Sequence, residues 1–143
     1  MEKVQTGNTT GLFKIELNEQ GDYITVPRGN DVFFDCFARG CKQIEGMTKG
    51  ACNKLKKIER KFKKLKGFEA DIKEIEERTK VNIQFSKNVT AIIDNIFGEG
   101  TVKKYFRKLY EEDPDFMPEV ECFTDFLDQI TPVMQKLSND RYL

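Results

Sequence analysis

Four thiols are the first side chains here with chemistry to offer: Cys36, Cys41, Cys52 and Cys122. Cys36 and Cys41 stand five positions apart, a spacing zinc tolerates, but a structural zinc site takes four ligands. Cys52 and Cys122 form no second close pair, and the chain has no His to complete a set. The thiols therefore read as reduced, small apolar packing groups. Without His, acid–base catalysis falls to carboxylates, Lys, Tyr or Cys. The carboxylates gather on helical faces and in the 111–128 segment as solvated runs. Gly98-Glu99-Gly100-Thr101 precedes a helix start, where an anion can bind, yet it lacks the Lys-Ser/Thr ending of a phosphate loop. A helix-to-helix turn is its commoner use. No catalytic, cofactor-binding or metal constellation emerges, and the expectation is a non-enzymatic binding protein.

Charge tells the same story at larger scale. Residues 49–66 hold nine Lys/Arg against one acid, Glu59. Such a block suits nucleic acid or an acidic partner. It also suits a solvated helix face neutralised by the acidic residues that follow, which is the favoured reading. Formal net charge is zero, from 24 basic and 24 acidic side chains, so whole-chain steering toward nucleic acid or an anionic membrane is not expected. The opening residues lack the apolar core of a signal peptide. No run approaches the roughly 20 apolar residues that span a bilayer. Cytoplasmic residence is the expectation.

Elements must position these groups, and 143 residues suit one domain. Residues 1–11 show no periodicity and read as a flexible terminus. Residues 12–17 alternate, 18–21 are turn-like, and Tyr23, Ile24, Thr25 and Val26 follow before Pro27, giving a small β-hairpin over about 12–27. Asn30-Asp31 offers an N-cap to a helix carrying Phe33, Phe34, Phe37, Cys41 and Ile44, broken at Gly46 and 48–50. Leu55, Ile58, Phe62 and Leu65 then recur at spacings of 3, 4 and 3. At Gly67 basic residues give way to acidic ones, as helix C- and N-termini prefer. Two readings stay open: two helices meeting near Gly67, or one long amphipathic helix over about 49–79, slightly preferred. Thr79 caps a helix through Val81, Phe85, Val89, Ile92 and Ile96, ended by Gly98. Thr101 caps a short helix, 111–118 is an acidic loop, and a last helix from about Pro118 is kinked or divided at Pro132. The fold class is mainly α: a helical bundle with a small N-terminal hairpin.

Ile92-Ile93-Asp94-Asn95-Ile96-Phe97-Gly98-Glu99-Gly100-Thr101, with Phe106 five residues on, resembles the ID-x-IFGEGT-x4-F signature of tail assembly chaperones of siphophages and prophages of Gram-positive bacteria. The resemblance is sharp over 92–106 and loose elsewhere. It implies a small, non-catalytic, helical factor that binds the phage tape measure protein and keeps it soluble while tail tube protein polymerises, in the bacterial host cytoplasm. Within the motif, Phe97 and Phe106 are expected to pack either side of the turn. Gly98 is expected to take a positive φ near Gly100, and Thr101 to cap the next helix.

Two apolar faces are candidates for the partner: Leu55, Ile58, Phe62 and Leu65, extending along the stripe toward residue 75, and Phe123, Phe126 and Ile130 of the last helix. A Lys-flanked stripe of this kind also invites self-association. The alternatives are a small nucleic-acid-binding regulator using the basic helix 49–66, and an oligomeric structural component of a phage particle. Salt separates the first from a chaperone, since phosphate binding weakens steeply with salt and apolar burial does not.

Overall fold

A computed structural model describes the backbone of residues 2–4 and the whole of residues 11–140. The protein is mainly helical, with a small antiparallel sheet at its N-terminal end. Strands β2 (Leu12–Glu16) and β3 (Tyr23–Pro27) form the expected hairpin. Phe13 pairs with Val26 and Ile15 with Ile24, so one sheet face is apolar and buried. The turn is held by Asn18, whose side-chain oxygen accepts from the Gln20 and Asp22 N–H groups. Glu2–Val4 (β1) add a third strand on the free edge of β2. That strand lies within the stretch read as a flexible terminus. Three residues are too few for alternation to reveal, and residues 5–10 lie outside the described ones.

The long helix exists, but it is not 49–79. Helix α1 spans Asp31–Phe62 and α2 spans Phe68–Phe97, with a turn between them. Asn30 caps α1 as expected, its side chain accepting from the Phe33 N–H at 3.1 Å. The expected break at Gly46 and 48–50 is absent. Each glycine costs a helix about 1 kcal/mol, and continuous packing of Phe37, Ile44, Ala51, Ile58 and Phe62 outweighs it. The chain reverses instead at Gly67, where φ is +114° and ψ 168°, a conformation open in practice only to glycine. Arg60 and Lys61 close α1, while Glu69 and Asp71 open α2, each charge matching its helix end. Thr79 is therefore mid-helix and caps nothing.

Two short helices follow, α3 (Thr101–Tyr105) and α4 (Arg107–Glu112), divided at Phe106. Helix α5 (Val120–Asp140) is the last of the described elements. Pro132 does not divide it; the proline sits on the exposed face, where the lost backbone donor is no burden to the core. The core joins the sheet face to α5 through Phe123, Phe126 and Met134, and to α2 through Phe85, Val89 and Ile93. From α1 it takes residues as far as Ala51, and from α2 residues from Val81 onward. The distal parts of α1 and α2 thus run on as a two-helix arm, reaching roughly 16 Å past the core at 1.5 Å per residue.

Candidate protein-docking site

Of the first expected face, the structure buries most within the arm. Ile58 and Phe62 are buried and Leu55 half-buried. The Lys61–Glu77 ion pair at 3.0 Å fixes α2 beside that stretch of α1. The a/d row of α1 is the seam between the two helices, and only Leu65, in the turn, is left outside, at 51% exposure. Phe123, Phe126 and Ile130 are core residues, Phe123 and Phe126 at 1% exposure each. Phe126 meets Phe97 and Tyr105 edge-on, and Phe123 meets Phe85. They hold the fold together and present no docking face.

What the arm does expose is a row on the outer side of α2: Phe68 at 75%, Ile72 and Ile75. Their spacing of 4 and 3 puts them on one helix face. Thr79 and Ile83 continue the same face, and Ile83 is also exposed. Two further steps reach Ser86 and Thr90, which floor a groove of about 570 Å³ closed on its other side by Tyr110, Phe116 and Met117. Ridge and groove form one band of roughly 33 Å along α2, from the 22 steps between residues 68 and 90 at about 1.5 Å each. Its exposed apolar part is the row Phe68, Ile72, Ile75 and Ile83, and exposed apolar surface of this kind marks interaction sites. In the sequence Phe68, Ile72 and Ile75 read as the continuation of the α1 stripe toward residue 75, because both rows are built from three- and four-residue steps.

The motif residues build the turn between α2 and α3. Phe97 stacks edge-on against Phe33 and Phe37, and Phe106 against Tyr105 and Phe123, so the two rings do pack in different neighbourhoods. Gly98 and Gly100 take positive φ of +119° and +85°. Thr101 is buried and does not cap α3. Its hydroxyl donates back to the Gly98 carbonyl at 2.6 Å. The cap is Asp94, whose carboxylate accepts from the Gly100 N–H at 3.2 Å and the Val102 N–H at 3.1 Å. A second polar cluster clamps the β-hairpin to the α3–α4 junction. Asn18 donates to the Lys104 carbonyl and to Asp22, and Arg107 donates to Asp22 at 3.0 Å. These bonds hold the Asp22 carboxyl below its ordinary range. Nearby, burial and the Asp125 carboxylate push the Tyr105 hydroxyl up to about 12.

All four cysteines are free and half-buried. Burial raises the Cys41 thiol, the opposite of what a nucleophile needs. Among the described residues no group of three or more His, Cys, Asp or Glu could hold a metal ion, and no helix is long and apolar enough to cross a membrane. Fold and site together define a class: a helical protein with a projecting two-helix arm and an open apolar face. Compared with protein families, curated proteins and solved structures, the chain matches none of them.

Proposed function

We propose that this is a non-catalytic binding protein that takes up an apolar helical segment of a larger partner along the outer face of α2. In particular, we propose a phage tail assembly chaperone, with the tape measure protein as client. The observation that carries the docking role is the exposed row Phe68, Ile72 and Ile75, leading into the groove beside Phe116. The client's identity rests on the ID-x-IFGEGT resemblance at 92–106. A long, helix-rich client with exposed apolar stripes aggregates unless those stripes are covered, and this face is shaped for an amphipathic helix laid along it.

The test is coexpression with the tape measure protein of the same phage, followed by pull-down at about 0.1 M and 0.5 M salt. Retention and solubility should persist at both, because screening weakens exposed ion pairs and leaves apolar burial intact. Phe68→Asp should abolish retention without lowering thermal stability, whereas Phe126→Ala should cost about 3–5 kcal/mol of stability. The exposed Lys/Arg of α1 favour a second reading, nucleic-acid binding. Retention of DNA at low salt only, with no tape measure protein held at either, would put that reading in place of the chaperone.

A further inference from the structure

The docking band has an internal symmetry. Its members fall at 68, 72, 75, 79, 83, 86 and 90, so the intervals run 4, 3, 4, 4, 3, 4 and read the same from both ends about Thr79. Across that midpoint the surface inverts. On the arm side stand large exposed side chains, Phe68 foremost; on the body side the equivalent positions, Ser86 and Thr90, are small and floor a groove. Charge inverts as well. One flank of the band carries Glu69 and Glu76 on the arm side, then Lys80 and Lys87 on the body side, all exposed. In helical projection these four lie on the same flank, at 100° per residue.

A surface whose ridge and groove, and whose acids and bases, exchange places about a midpoint is complementary to itself under a two-fold rotation. We infer that a second copy of this chain docks on the band, the two α2 helices antiparallel and crossing at Thr79. Phe68 of each copy then enters the other's groove over Thr90. Ser86 is itself buried, so Ile72 lies at the groove mouth beside it, and Ile75 meets Ile83. In an antiparallel pair like flanks face each other, so Glu69 comes opposite Lys87 and Glu76 opposite Lys80, twice each per dimer. A pairing in the parallel sense would set Phe68 against Phe68, leave both grooves empty and turn the Glu69 flank of each copy away from the Lys87 flank of the other. The antiparallel arrangement needs only this chain, whatever client the face takes up. A client helix would then have to displace the second copy.

Sedimentation equilibrium of the full chain from about 1 to 100 μM decides the matter. A monomer–dimer equilibrium should appear, and Phe68→Asp should raise its dissociation constant at least about 30-fold, as loss of an interface anchor does. Circular dichroism and thermal melting should leave that variant's fold unchanged. Register is read by charge. Glu69→Lys and Lys87→Glu should each weaken the dimer about three- to tenfold, and the two in one chain should restore it. Those residues are 18 positions apart on one helix, so the rescue cannot arise within a monomer. A photo-crosslinking phenylalanine at position 68 should attach to residues 86–90 or 116–117 of a second copy. A chain that stays monomeric at 100 μM, a dimer indifferent to Phe68→Asp, a failure of the double charge swap to restore, or crosslinks confined to position 68 of the other copy would each overturn the pairing. None of these outcomes touches the tape measure assay, so the two readings fail separately.

Discussion

Asp94 closes the α2–α3 turn by accepting from the N–H groups of Gly100 and Val102, the donors that a five-residue helix has no means of satisfying internally. Asp94→Ala should therefore cost about 1 kcal/mol, the usual value of an N-terminal cap, measured by urea unfolding, while Thr101→Val should act through packing at a buried site. The cap was not legible beforehand because the carboxylate lies six and eight residues before the groups it serves, on the far side of a turn. Asn30, adjacent to its helix, was legible for the opposite reason. Asp22 supports a prediction in pH. Its folded-state carboxyl titrates below the ordinary value, so its contribution is present above about pH 4 and disappears as pH falls through the lowered value. Asp22→Asn should be less stable than the native chain at pH 7, and the two melting temperatures should converge toward pH 2. Curves that stay parallel over that range would show that the Asn18–Asp22–Arg107 clamp carries no charge-dependent stability.

At the scale of elements, two glycines of similar appearance play different parts. Gly46 lies inside α1, whereas Gly67 reverses the chain with φ at +114°. Gly67→Ala should accordingly destabilise by about 1–3 kcal/mol, the cost of placing a side chain in a backbone region that glycine alone tolerates. A gain in stability would restore the single long helix over 49–79. Open space surrounds a Cβ built at this position, so backbone strain is the sole source of that cost. The reversal had left traces in the sequence, in the change from basic to acidic residues and the phase shift from Leu65 to Phe68. The continuity of α1 through Gly46 and Gly50 had not. Glycine punctuates local propensity, and only the opposing helix decides whether a helix can run through it. The β-hairpin was plain because alternation over two five-residue strands is dictated by one buried face, which is a local property.

Burial of the stripes is a property of the whole molecule, and it separates two rows that the sequence builds from the same three- and four-residue steps. Leu55, Ile58 and Phe62 became a seam because α2 folds back along them; Phe68, Ile72 and Ile75 stayed exposed because, among the described residues, none packs closely enough to bury them. The same asymmetry sets local stability. The body is held by the sheet, α5 and the rings around Phe97 and Phe126, all cross-linked. The arm is held by one row of apolar contacts and the exposed Lys61–Glu77 pair, which contributes little by itself. Segments with few buried contacts open below the global unfolding free energy. Amides of 57–62 and 70–78 should therefore exchange with solvent at least about 100-fold faster than those of 123–134, a gap of about 2.7 kcal/mol in opening free energy. The measurement belongs at low micromolar concentration, where the monomer prevails. Raising the concentration should then protect 70–78 selectively, since a second copy covers the outer face of α2 and leaves the outer face of α1 in water. Equal protection of arm and body at low concentration would mean that the arm is more firmly built than its single seam allows.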